Sequence, residues 1–297
     1  ASDVYKRQGQ CYGLHLRCAS ALGLSFAKIL TEGDFFMPTI AVLVKNVPDT
    51  WSAKTLEPDN TLDRASADNV LDEINEYAVE AALRLREAGD YKVVAVTMGP
   101  EGCEEALRKA IAMGADDAVS LIDDALAGSD AIGTAWALHN VLNTLDDVAL
   151  VIAGNQSSDG ETGAVPGLLA EYRQVPALTQ VHGLRLTGDV ITGTREDDHG
   201  TWELEAPLPA LVTVTELADK PRFPNFKGMM AAKKHEITRL SLSDIGVDPA
   251  QVGLAHAATS VTAASEIPAR DGGEILEGPA ADIAAQVVER LAERNLI

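Results

Sequence analysis

The chain of 297 residues is 46% hydrophobic and 23% charged, the composition of a soluble globular protein with room for one large domain or two ordinary ones. Lys and Arg number 24 against 45 Asp and Glu, a formal charge of -21, so the cationic surplus that neutralises a nucleic-acid backbone is missing. No apolar run approaches the ~18 residues of a membrane span, and three cysteines cannot build a disulfide framework, which points to a reducing compartment and a cytoplasmic setting.

Residues 1–36 differ from the rest. They carry four basic residues (Lys6, Arg7, Arg17, Lys28) against three acids, which leaves -22 for residues 37–297, and they hold two of the three cysteines, Cys11 and Cys18. Met37 precedes a strand-like run, so the expected start of the native chain is Met37, with 1–36 as upstream or leader sequence. A basic organelle transit peptide, hence a mitochondrial matrix setting, is the rival reading.

From Met37 onward the predicted elements alternate. Ile40–Lys45 is a short β-branched run that reads as a buried strand, and Pro58-Asp59-Asn60 as a turn. Leu71–Ala88 has helical spacing at Leu71, Ile74, Ala78, Ala81, Ala82 and Leu85, closed by Gly89. Lys92–Met98 is a second strand stopped by Gly99-Pro100. Glu101–Met113 is a helix with acids at its N-terminus and Gly114 at its end, as dipole and capping rules favour. Ala118–Ile122 is a strand, Ser129–Leu145 a helix and Val148–Ala153 a fourth strand, followed by a glycine loop and a helix to about Glu171. Asp189–Arg195 and Thr201–Glu205 alternate polar and apolar residues about Asp197-Asp198-His199-Gly200, a hairpin, and Leu211–Thr215 is another strand. After Lys220 no strand–helix rhythm is visible until an amphipathic helix over Ala281–Arg294.

Continuous apolar strands alternating with helices predict an α/β fold, a doubly wound and mainly parallel sheet covered on both faces, with a β-hairpin and an extended C-terminal arm. Such sheets bind ligands where strands end and the winding reverses. The loop Gly154–Gly163 ends a strand and opens a helix, so its glycines and free N–H groups suit a phosphate. It fits neither phosphate-loop nor dinucleotide fingerprint, and it carries Asp159 and Glu161 but no Lys or Arg, which argues against triphosphate hydrolysis. A plain βα turn with a capped helix accounts for the same residues.

Single residues carry less. Cys103 lies near a helix start, where a thiol can be acidified, but a buried small residue is the simpler reading. His139 reads as a packed or surface histidine, and the six histidines have no metal spacing. No nucleophile–base arrangement can be assembled, so a hydrolase is disfavoured and no catalytic residue is named.

The segment Asp219–Lys234 is out of character in so acidic a chain. It sets Lys220, Arg222, Lys227, Lys233 and Lys234 among Phe223, Phe226, Met229 and Met230, with Pro221 and Pro224 restraining the backbone. Apolar anchors rimmed by cations suit a protein–protein contact, although a loop packed on the chain's own core would use the same residues.

Taken together these stretches are recognisable. Ile40-Ala-Val-Leu-Val-Lys45, Leu71–Ala82, Val93–Ala115 continuing to Asp116, Gly154-Asn-Gln through Pro166, and Val212-Thr through Pro221-Arg222 to Met230-Ala-Ala-Lys-Lys234 occur in the order seen in one family. Over about residues 37–297 the chain resembles the beta subunit of electron transfer flavoprotein. The resemblance implies a Rossmann-like adenine-nucleotide-binding domain over 37–220, a partner recognition loop and helix over 221–236, and an arm over 237–297 that contacts an FAD-bearing alpha subunit. It implies electron passage from acyl-CoA dehydrogenase-type flavoproteins towards a quinone oxidoreductase. It also implies AMP held in this subunit by Leu43, Val44, Asp72, Glu73, Ile74, Asn75, Met98, Asp159, Gly160, Glu161, Thr162, Gly163, Ala164, Val165, Pro166 and Gly167, mainly through backbone groups. Pro221, Arg222, Phe226, Met229, Met230, Lys233 and Lys234 would meet partners, with Phe226 at the apolar anchor position.

The loop is shorter than in the common mitochondrial type, and electron-bifurcating relatives carry a second FAD in the equivalent site, so AMP and FAD stay as alternatives. A free-standing adenine-nucleotide-binding regulator of stress-protein type would share the same sheet.

Overall fold

A computed structural model describes residues 37–265, 267–268 and 272–297, so the expectation about 1–36 lies outside the described residues. The chain opens with β1 (Thr39–Leu43), then pairs β2 (Asn46–Pro48) antiparallel with β3 (Asn69–Leu71). α1 (Glu73–Ala88) leads to β4 (Lys92–Met98), and a single 3-10 turn precedes α2 (Glu104–Met113). There follow β5 (Asp117–Leu121), α3 (Ala131–Leu142), β6 (Val148–Gly154) and α4 (Val165–Arg173). β7 (Ala177–Thr187), β8 (Val190–Asp197), β9 (Gly200–Pro207) and β10 (Ala210–Val214) come next, then α5 (Phe226–Lys234), β11 (Thr238–Leu240) and α6 (Ala280–Glu293).

The sheet has nine strands in the order β11-β5-β4-β1-β6-β10-β7-β8-β9. Neighbours from β11 through β7 run parallel, and β7-β8-β9 are antiparallel. All five residues of β1 are buried, because side chains alternate between two covered faces. Ile40 and Val42 point into the cluster with α1 and α2, whereas Ala41 and Leu43 point into the cluster with α3 and α4. The expected doubly wound α/β architecture is therefore present.

Local chemistry sets the helix ends. Asp130 caps α3, its Oδ1 accepting from the Gly133 amide at 2.9 Å. Gly114 ends α2 with φ of 129°, a conformation that L side chains rarely adopt, while its N–H returns to the Ala110 and Ile111 carbonyls.

Five elements were not legible in the pattern: the short strands β2 and β3, and β7, α5 and β11. β7 spans eleven residues, but Gln180 and Gly183 take positive φ and the register with β8 shifts between His182 and Arg185, so no clean alternation survives. α5 is only nine residues long and β11 only three, below the length at which periodicity can be read. β11 nevertheless adds parallel to β5 at the sheet edge.

The chain divides into two compact units. One comprises Leu62–Ser260 with the segment ending at Leu56, and contains the sheet. The other comprises Glu57–Thr61 and Val261–Ile297; within it Asn60 Nδ2 donates to the Val261 carbonyl at 3.2 Å, and Arg290 of α6 pairs with Glu274 at 2.6 Å.

Leu83 of α1 is completely buried in the core on that face. Truncation to Ala removes its transfer energy and leaves a cavity, so Leu83→Ala should cost about 2–5 kcal/mol. A urea midpoint within error of the parent would show that this face is not packed as described.

Candidate functional site

β1, β4 and β6 end side by side, and the winding reverses between β1 and β6. From β1 the chain proceeds to β4 and β5 on one side, then to β6 and β10 on the other. A crevice at the C-terminal ends of the strands is the geometric consequence. A cavity of about 140 Å³ lies there. Leu43, Val44 and Lys45 line it from the end of β1, Thr97 and Met98 from β4, and Thr134 and Leu138 from α3. The loop contributes Gly154, Gln156, Ser157, Thr162 and Gly163, and α4 contributes Val165 and Pro166.

The N-terminus of α1 ties this crevice together. Asn75 is buried, and its Oδ1 accepts from the Lys45 amide at 2.8 Å just beyond β1. Asp72 is buried too, and its Oδ2 accepts from the Ser158 amide at 2.8 Å in the loop. Burial pushes the Asp72 carboxyl pKa up, against the pull of that hydrogen bond. Gly154 ends β6 directly against this helix. A Cβ there would lie 2.7 Å from Ile74 Cγ2 and 3.0 Å from Asn75 Nδ2, so only glycine lets strand and helix approach this closely.

The loop contains no Lys or Arg, yet the structure supplies cations from elsewhere in the chain. The Asp159 side chain is 3% exposed and sits between Lys45 Nζ at 2.7 Å and Arg64 Nη2 at 2.5 Å. Lys45 Nζ also donates to Ser157 Oγ at 3.2 Å, and Arg64 Nη1 to the Asn46 carbonyl at 3.2 Å. Burial alone would raise the Asp159 pKa, but the Lys45 charge and hydrogen bonds from Lys45 and Arg64 more than offset it and hold the carboxyl well below the usual range. Three distant segments thus converge on one carboxylate at the base of the loop.

Above this clasp the loop presents donors. Among the described residues, the amides of Thr162, Gly163 and Ala164 have no protein acceptor, and they lead into α4. Free amides at a helix start, a glycine at φ of 60° and apolar strand ends fit a phosphate-bearing aromatic ligand.

Most of the expected site residues converge. Leu43, Val44, Asn75, Met98, Thr162, Gly163, Val165 and Pro166 line the cavity, while Asp72, Ile74 and Asp159 brace it from behind. Glu73, Gly160, Glu161, Ala164 and Gly167 are solvent-exposed and do not line it. Lys45, Arg64, Thr97, Thr134 and Leu138 were missed. Lys45 had a signal, a cation immediately after a buried strand; Arg64, Thr134 and Leu138 reach the site only through the fold.

The second candidate region splits in two. Phe226 is 76% exposed and Phe223 89%, with Met229, Met230, Lys233 and Lys234 also exposed along α5, whose first turn Asn225 caps by accepting from the Gly228 amide at 2.8 Å. Pro221 is half-buried. Arg222 instead turns into the chain. Its Nε donates to Glu80 Oε2 at 2.7 Å, its Nη2 to Glu80 Oε1 at 3.1 Å and its Nη1 to Glu87 Oε1 at 2.5 Å. Glu80 is 2% exposed; burial opposes its charge, but Arg222 and Arg84 hold its pKa down. Arg222 fastens the segment to α1.

Cys103 is buried, and burial together with Glu104 pushes its thiol pKa up to about 11, so it is not an acidified thiol. His139 stacks on Trp136 with ring centroids 5.6 Å apart. Among the described residues no cluster of His, Cys, Asp or Glu could hold a metal, and no helix is long and apolar enough to cross a membrane.

Fold and crevice define a doubly wound α/β domain with a cavity at its switch point. The electron transfer flavoprotein domain matches residues 59–245. The chain is 50% identical over 269 residues to electron transfer flavoprotein subunit beta of Mycobacterium bovis, covering 88% of this chain and 100% of that protein. It is 34% identical over 268 residues to the subunit of the same name from Megasphaera elsdenii, covering 87% and 99%. It is also 32% identical over 260 residues to the caffeyl-CoA reductase-Etf complex subunit CarD of Acetobacterium woodii, again covering 87% and 99%. The chain belongs to the electron transfer flavoprotein beta-subunit family and so to the electron-transfer flavoproteins.

Two variants test the site's construction. Gly154→Ala forces Ile74 or Asn75 aside and should lower the urea midpoint without abolishing folding; a midpoint equal to the parent's would refute the close approach. Asp159→Asn removes a carboxylate whose folded pKa lies below its unfolded value of ~3.9, so the lost stability is present in full above about pH 5 and fades as pH falls through the depressed value. We expect about 2 kcal/mol, discounted because Lys45 and Arg64 are partly exposed. A stability difference that is flat between pH 7 and acid would contradict the clasp.

Proposed function

We propose that this chain pairs with an FAD-bearing alpha subunit and holds one AMP in the crevice between β1 and β6. The pair takes electrons from acyl-CoA dehydrogenase-type flavoproteins and passes them towards a quinone oxidoreductase in the cytoplasm. The observation that carries the reading is the loop over Gly154–Gly163. Among the described residues the amides of Thr162, Gly163 and Ala164 have no protein acceptor, while Lys45 and Arg64 beside the loop are bound to Asp159.

That arrangement suits structural binding rather than hydrolysis. With Lys45 and Arg64 both engaged by Asp159, the chain offers a phosphate mainly backbone donors. Leu43, Met98, Leu138 and Val165 supply the apolar walls for a base, and Thr97 and Thr134 the hydroxyls beside it. FAD, held mainly by the alpha subunit, supplies the redox chemistry when bound. This chain's own work is binding and orientation. α5 presents Phe226, Met229, Met230, Lys233 and Lys234 to partners, Arg222 anchors that helix to α1, and the residues after Ile237 contact the alpha subunit.

The likeness to a subunit of an Acetobacterium complex makes a second FAD in place of AMP the specific rival. Copurification of the full chain with its alpha subunit, followed by denaturation and quantification of released nucleotide, decides between them. The reading predicts one FAD and one AMP per pair. Two FAD and no AMP would replace it with the bifurcating type, and a chain that copurifies with no flavoprotein would overturn it.

A further inference from the structure

We propose that the docking surface does not stop at α5. It continues across a groove onto α2 and β3, and that groove receives an apolar side chain flanked by carboxylates on an acidic segment of the electron-donating flavoprotein. The inference rests on the reading of α5 as the partner-binding helix and adds the site and chemistry of the partner's half of the contact.

The groove is a cavity of about 410 Å³ with an apolar floor of Val70, Ala112 and Met229. Val70 comes from β3, far from α5 in sequence, and is 39% exposed. The lining also carries the cations Arg108, Lys109 and Lys233. Arg108 keeps its place by donating to the Ala232 carbonyl at 2.8 Å, which fixes one guanidinium nitrogen and leaves the rest of the fork for a ligand. Lys109 is occupied by Glu76, and Glu105 is the one carboxylate in the lining. Among the described residues Lys227, Lys233 and Lys234 have no carboxylate within 4.0 Å, and α5 contains no acid.

Backbone packing shapes the groove. A Cβ on Gly228 would collide with the Ala112 carbonyl oxygen, so α5 lies against α2 with no side chain between them at this point. Met229 and Lys233 of α5 share the lining of the groove with Val70 of β3 and Arg108 of α2. A cation-lined apolar groove is complementary to an acidic surface with an apolar tip, and the mutual repulsion of two chains of charge -21 disfavours another copy of this chain as the occupant. An anionic membrane would also be attracted to the cations, but apolar side chains lining a cavity, rather than projecting from the surface, suit an inserted side chain better than a bilayer.

The test uses the heterodimer and an acyl-CoA dehydrogenase reduced by its acyl-CoA substrate, with flavin reduction followed as the dehydrogenase concentration is varied. Val70→Glu places a carboxylate in the slot and should raise the KM for the dehydrogenase about tenfold with little change in limiting rate, an effect that shrinks as salt screens it. Val70→Lys alters the same side chain with the opposite charge and should leave KM within about twofold, which a merely structural role for Val70 does not predict. Met229→Ala should raise KM in the same way. If Val70→Glu and Met229→Ala leave KM unchanged while Phe226→Ala raises it, the groove is overturned and the role of α5 stands. If Phe226→Ala also has no effect, the docking role of α5 fails as well. Loss of binding to phosphatidylglycerol vesicles in Val70→Glu, with an unchanged KM, would assign the surface to a membrane and overturn the proposal.

Discussion

The carboxylate of Asp159 is the point from which the site is built. It is almost fully buried, and a lone buried charge would be expelled or protonated. Lys45 and Arg64 keep it ionised, one from the end of the central strand and one from the segment before β3. Because the three groups come from separate parts of the chain, their meeting fixes the base of the loop relative to the sheet. Asp72 and Asn75 do the same from α1 by holding the Ser158 and Lys45 amides. The loop can then leave several of its own amides unused, and those are the groups available to a ligand.

The same helix that frames the crevice also holds the segment before α5. α1 begins at the crevice with Asp72 and Asn75, and two turns later its Glu80 receives Arg222. A buried carboxylate with a bidentate arginine is costly to break from one side, so that segment is held on the element that braces the loop after β6. The segment fastened by Arg222 leaves Phe226 and Met230 exposed on α5.

Much of this was legible in the residues and some was not. Val-rich runs such as Lys92–Met98 and Val148–Gly154 identify parallel strands because both faces are covered, and the glycine loop after the latter identifies the crevice. What escaped was whatever depends on distant segments meeting. Arg64 sits in a polar stretch with no pattern, and only the fold brings it to Asp159. Arg222 reads as one more cation in a basic segment, yet it turns inward because Glu80 is buried beneath it. β7 escaped because two positive-φ residues interrupt its alternation.

Hydrogen exchange on the heterodimer, stripped of nucleotide and then refilled with AMP, tests the central assignment most directly. The account predicts that AMP slows exchange at the amides of residues 160–164 and around Asn75, while α5 is unaffected. Protection that falls on another part of the chain, or none at all on that loop, would contradict a nucleotide site at the reversal between β1 and β6.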